Sequence, residues 1–150
     1  MGTQRTWQYW LWSISKRILF IYVGLIVIAF LLQRHLIYIP SKEREDKLLR
    51  MAKMHGLQAW RDRRNHLIGW RSSIPEGALQ PHNRLVVFHG NAGYAMHRIY
   101  YVWGFHGVPD GPATWEIFLF EYPGYGARQG PRNEESIAAA ASQAIKELLQ

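Results

Sequence analysis

At 150 residues, 48% of them hydrophobic and 14% aromatic, the chain has the length of one ordinary domain. Seven tryptophans and a charged fraction of only 19% exclude a disordered chain. The net charge of +7 is unevenly placed: residues 1–32 carry +3, residues 33–66 carry +5 and residues 67–150 carry −1. A nucleic-acid groove would need its basic residues spread over the folded part with aromatic platforms between them, so that class is set aside. The absence of cysteine excludes disulfide frameworks, thiolate metal sites and cysteine nucleophiles.

The first element is a membrane-segment candidate. Ile18 to Leu32 reads ILFIYVGLIVIAFLL, 15 residues without a charge, leaving 118 residues after it. A bilayer core asks for about 20 apolar residues, and the flanks supply the difference. Trp7, Tyr9, Trp10, Leu11, Trp12 and Ile14 precede the run, Lys16 and Arg17 can reach back to headgroups, and Leu36-Ile37-Tyr38-Ile39 follow it. A cleaved signal peptide would need a small-x-small site where Leu31-Leu32-Gln33-Arg34-His35 stands. A buried soluble helix would show one apolar stripe, whereas this run is apolar on every face. The expectation is an uncleaved, single-pass anchor over residues 1–39, with the lipid bilayer as partner through residues 18–32 and basic neighbours facing anionic headgroups. The Lys/Arg count does not fix the side on which the rest lies.

Residues 40–56 read as a membrane-proximal linker containing a helix over 41–55. Ser41 would cap it, Glu43, Glu45 and Asp46 sit early, Lys53 and His55 sit late, and Gly56 stops it. Leu48, Met51 and Ala52, widened by Leu49, give its apolar stripe. Leu57–Arg61 and His66–Arg71 form a hairpin about Asp62-Arg63-Arg64-Asn65, and residues 75–83 form a loop. Leu85–Phe88 is an apolar strand expected to be covered on both faces, running into His89-Gly90-Asn91-Ala92-Gly93. A helical stretch follows, with Met96, Ile99, Tyr100 and Trp103 on a common face, and then a loop from Gly104 to Thr114. Ile117–Phe120 is a second buried strand ending in Glu121-Tyr122-Pro123-Gly124-Tyr125-Gly126. Asn133 caps a last helix whose stripe is Ile137, Ala141, Ala144, Ile145 and Leu148. The alternation predicts an α/β class, strands with crossover helices, over residues 57–150. Ligands in such sheets bind beyond the carboxyl ends of the strands, where both glycine-rich turns fall.

The first turn is the candidate site. Gly90 and Gly93 allow a sharp turn and close approach of a ligand, and a helix opening after them would aim free N–H groups at an anion or a developing oxyanion. No Gly-Lys-Ser/Thr follows, and the dinucleotide G-x-G-x-x-G spacing is missing, so neither nucleotide motif applies. His89, His97 and His106, spaced by eight and nine, fit no metal-ligand pair, and structural roles are expected for them. Glu116 and Glu121, five apart along a strand, would face opposite sides and make no acid–base pair. No cofactor and no metal is expected.

Taken together, FHGNAG, about thirty residues, and a strand ending in EYPGYG resemble the α/β-hydrolases, in particular the membrane-anchored group related to the bud-emergence homologue proteins. That group shows an anchor, an HGNAG turn after strand 3 and a D-Y-R-G-Y-G-x-S turn after strand 4. The resemblance covers roughly residues 57–150. It implies serine hydrolysis of an ester, thioester or amide of a small molecule or lipid, with the backbone N–H of Asn91 as an oxyanion-hole donor, Ala92 as the neighbouring candidate, and Gly90, Gly93, Gly124 and Gly126 as turn glycines. Glu121 stands for the family's Asp, Pro123 for its Arg, and Ala127-Arg128 where a small residue and Ser often follow. The family's nucleophile lies in G-x-S-x-G after strand 5, and none of the seven serines has that setting. The resemblance therefore implies the N-terminal portion of a hydrolase, inactive alone, with Leu85–Phe88 presenting an open edge where strand 5 would pair. The alternative is a non-catalytic, membrane-tethered binding or scaffold protein on a degenerate hydrolase fold.

Overall fold

The computed structural model describes residues 3–73, 83–107 and 115–149. It divides into two units, Met1–Ile37 and Tyr38–Gln150. The first is a single helix α1, Thr3–Ile37. Its described side chains are exposed all round, including Phe20, Ile21, Leu25 and Leu31, as a segment apolar on every face must be when no protein packs against it. From Trp7 to Ile37 the helix is long and apolar enough to cross a membrane. Those 31 residues extend about 46 Å at 1.5 Å each, more than the roughly 30 Å of hydrocarbon. Lys16 lies 3.4 Å over the Trp12 ring, its charge held against an aromatic face.

In the second unit, α2 (Glu45–Met54) is followed by the hairpin β1 (Leu57–Arg61) and β2 (Leu67–Ser72). Then come β3 (Asn83–Phe88), a 3-10 turn (Ala95–Arg98), α3 (Tyr100–His106), β4 (Trp115–Phe120) and α4 (Glu134–Leu148). The four strands form one mixed sheet in the order β1-β2-β4-β3. β2 pairs antiparallel with β1 and β4, whereas β3 and β4 are parallel with Phe88 opposite Phe120. The crossover through the 3-10 turn and α3 is what permits parallel neighbours. Trp70, Val87, Ile117 and Leu119 pack on one face against Leu48, Ala52, Met96 and Val102. Trp60, Ile68, Phe118 and Phe120 pack on the other against Ala144, Ala140, Ala141 and Leu148 of α4. The alternation of Ile117 and Leu119 with Phe118 and Phe120 is the period-two signature of a strand.

Several expectations shift. α2 begins at Glu45, and Ser41 does not cap it: the residue before the helix is Arg44, without a side-chain cap. Tyr38–Leu57 is integral to the second unit, and the division falls two residues before the expected end of the anchor at 39. Gly56, at φ +66°, ends α2 as expected. β3 is an edge strand: Val87 is buried, but Phe88 is 44% exposed, so it is not covered on both faces. α3 continues through Gly104 to His106 instead of yielding to a loop at 104. Its buried residue is Val102, whereas Tyr100 and Trp103 face outward, because the short 3-10 turn resets the helical phase after Met96. The α4 stripe uses Ala140 in place of Ile145, which is exposed. Its cap is as expected: Asn133 Oδ1 accepts from Ser136 N at 2.8 Å, and Ser136 Oγ accepts from Asn133 N at 3.3 Å. The loop expected at 75–83 lies outside the described residues except for Asn83, and most of the one expected at 104–114 also lies outside.

Candidate functional site

The parallel register sets Phe88 beside Phe120, so the two turns leave neighbouring strands at the same end of the sheet. In the first turn, the left-handed residue is Ala92, at φ +58°, and not Gly90 or Gly93. The Asn91 side chain explains the substitution of roles, since its Oδ1 accepts from Ala92 N at 2.9 Å and ties off the bend locally. In the second turn the glycines are required: Gly124 has φ +81° and Gly126 φ +49°. A Cβ on Gly126 would collide with the Glu121 carboxylate.

Glu121 is fully buried and joins the turns. Its oxygens accept from Ala95 N at 3.1 and 3.2 Å. The sequence expects an external anion near this point, and the Glu121 carboxylate is an internal one beside it. Oε1 also lies 3.0 Å from His89 Nε2, both side chains having no exposure. His89 Nδ1 lies 2.8 Å from the Gly90 carbonyl, a pure acceptor, so Nδ1 carries a proton. The Tyr122 N–H also points at Nε2, at a long 3.4 Å. The His89 ring clusters with those of Tyr122 and Tyr125, at centroid distances of 4.1 and 5.4 Å. Burial pushes both phenols above their ordinary range.

Asn91 is the second junction. Besides Ala92 N, its Oδ1 accepts from Tyr125 OH at 2.9 Å and from Ile39 N at 3.1 Å. Residues 39–43 thus form a strap over both turns. Ser41 Oγ donates to the Ala92 carbonyl at 2.6 Å, Gly126 N donates to Ser41 O at 2.8 Å, and Glu43 N donates to Gly126 O at 3.1 Å. Of the two expected oxyanion donors, the Ala92 N–H is therefore engaged by Asn91. Arg128 supports the second turn from below: Nη1 donates to the carbonyls of Glu121 at 2.7 Å and Ile68 at 3.3 Å, with its guanidinium over Phe120. Burial lowers its pKa, opposed by the charges of Glu121 and Asp62.

Glu116 stays apart from the site, 3.6 Å from Arg84. His97 packs its ring 3.8 Å from Tyr94, and the side chain of His106 lies outside the described residues. Among the described residues no group of three acidic or histidine side chains is placed to hold a metal. The strap and the His89–Glu121 pair leave no periodic pattern in the sequence. The only sequence signal for the pair was a charged residue at the end of an otherwise apolar strand, repeated in both turns as His89 and Glu121. No family model, curated protein or solved structure matches this chain.

Proposed function

We propose that this chain is a membrane-anchored portion of an α/β-hydrolase, contributing the oxyanion turn of a serine hydrolase of esters, thioesters or amides. The observation that carries the reading is the pairing of the two glycine-bearing turns at the carboxyl ends of adjacent parallel strands, fastened by Asn91–Tyr125 and His89–Glu121. This is where sheet enzymes of this class bind ligands. β3 at the sheet edge agrees with a fold that pairs a fifth strand there. Helix α1 is the anchor, and its exposed aromatic start and basic residues Lys16 and Arg17 suit a headgroup layer.

In this role Asn91 N would donate to the developing oxyanion, a contribution on the order of 3 kcal/mol to the acyl-transfer barrier. Ala92 N joins only if Asn91 Oδ1 releases it. None of the seven serines among these 150 residues stands in a G-x-S-x-G setting. A fluorophosphonate probe tests the reading on the native gene product in membranes. Labelling of a serine in a G-x-S-x-G segment of the same reading frame is expected, with none on the seven serines of residues 1–150. Labelling of any of those seven would overturn it.

A second reading, a non-catalytic tethered binding protein, is favoured by one observation. Ala92 N and Ala95 N are both satisfied internally, by Asn91 and Glu121. An intact, expressed gene that lacks any such serine segment would decide for it.

A further inference from the structure

The two faces of the sheet carry helices of opposite character. α2 and α3 cover one face, and the ring of His55, just after α2, meets Trp103 of α3 at 5.4 Å, so the two helices are neighbours. The outer side of this layer is unusually apolar for a surface: Met54 is 72% exposed, Trp103 53%, Tyr100 48% and Leu49 41%. Residues 44–55 and 95–107 carry five bases and two acids, a net +3. Arg44 and Arg50 pair with Asp46 and Lys47 with Glu43, whereas among the described residues no carboxylate pairs with the exposed Lys53. Across the sheet, α4 carries one base and three acids, a net −2. Apart from Ile145 and Leu149 at its end, it exposes no large apolar side chain.

Tryptophan, tyrosine and methionine at the surface, beside an excess of basic residues, match the boundary layer of a bilayer. The rings take the amphipathic headgroup zone, and the cations take the anionic phosphates. An acidic protein partner would meet the same charge, so the course of the chain decides the occupant. It selects the bilayer, since α2 follows the membrane-crossing candidate α1 after only seven residues. We infer that the outer face of α2 and α3 is a membrane-docking surface, seated on anionic phospholipid headgroups with Met54, Trp103 and Tyr100 as its apolar contacts. The inference rests on the anchor reading of α1. It adds a second, peripheral contact with the bilayer and assigns α4 to the water side.

The absence of cysteine allows single labels on the full chain. Met54→Cys, Trp103→Cys, Ser142→Cys on α4 and Ile28→Cys in α1 are each labelled with an environment-sensitive fluorophore. Each is then reconstituted in vesicles of phosphatidylcholine with phosphatidylglycerol. Positions 54 and 103 are expected to show a blue shift and a loss of intensity with headgroup-level spin-labelled lipid, whereas position 142 shows neither. The effect at 54 and 103 should weaken in high salt and in vesicles of phosphatidylcholine alone. The label at position 28 is expected to be quenched by deep-labelled lipid in every vesicle. Quenching at 28 without any at 54 and 103 overturns the docking surface and leaves the anchor standing. Equal quenching at 54, 103 and 142 overturns it as well, as does protection of 54 and 103 by self-association with no lipid quenching. Loss of quenching at 28 overturns the anchor reading and the docking surface together.

Discussion

Glu121 is the residue whose removal tests the architecture of the site most directly. Its carboxylate is inaccessible to water, faces His89 Nε2 at 3.0 Å and receives Ala95 N at 3.1 Å. In Glu121→Ala both partners lose their acceptor inside the protein, and the imidazole is left buried without its counter-group. Leaving a buried polar group without its partner costs about 1–3 kcal/mol, and two are left here. A domain of this size has a total stability of roughly 5–15 kcal/mol, so much of it would go. Glu121→Gln keeps the shape and an acceptor for Ala95 N, and its amide can donate to a neutral Nε2. It should lose clearly less, about 0.5–1.5 kcal/mol, the net worth of one hydrogen bond. His89→Ala combined with Glu121→Ala removes both members and should fall short of the sum of the single losses by about 1–3 kcal/mol. The assay is urea unfolding of the full chain in detergent micelles, followed by near-ultraviolet circular dichroism, with α1 contributing a constant background. A Glu121→Ala loss below about 1 kcal/mol, or a Gln variant as unstable as the Ala variant, would refute the assignment of a coupled buried pair.

Gly126→Ala should destabilise the same unit by at least about 1–2 kcal/mol from its left-handed backbone alone. The new methyl group also meets the Glu121 carboxylate, so pairing it with Glu121→Ala should recover part of the loss in the same urea assay. Asn133→Ala removes the capping box of α4 and should cost about 1 kcal/mol, whereas Asn133→Gly should cost only a few tenths. Asp62 ties the β1–β2 turn through Arg64 N, His66 N and the His66 ring. Burial pushes its carboxyl up, but these hydrogen bonds outweigh it and hold it below the usual 3.8. The stabilisation is therefore complete above that value and is lost as pH falls through the lower folded one. Urea midpoints of wild type and Asp62→Asn should converge below it and separate above it.

Much of the fold was legible because its signals are local. The hairpin needed only two strand-like runs about Asp62–Asn65, the last helix announced itself through Asn133, and the two strands were visible as short apolar blocks. The class of a mixed α/β sheet follows from their order. The misplaced boundaries have equally local causes: a 3-10 turn at Ala95–Arg98 breaks a periodicity that a uniform helix would have kept. What the sequence did not disclose is held by polar contacts between distant residues. Ile39 meets Asn91 across 52 positions, and Ala95 meets Glu121 across 26. A polar bond of this kind leaves no period for a pattern to reveal, so Ser41 reads as a cap and Glu121 as a mere departure from a motif. The glycines show both sides: Gly124 and Gly126 do what their type suggests, while Ala92 takes the strained position expected of Gly90 or Gly93.

The strap of residues 39–43 also has a mechanical meaning. A pull applied to the chain at Tyr38 meets, as its first fastening in the second unit, the bond from Ile39 N to Asn91 Oδ1, and next the bond from Ser41 Oγ to the Ala92 carbonyl. These two bonds end on the turn that carries the candidate site, and they lie across the load path ahead of any strand of the sheet. Tension drawn through residue 38 would reach Asn91 and Ala92 before it reached any strand of the sheet.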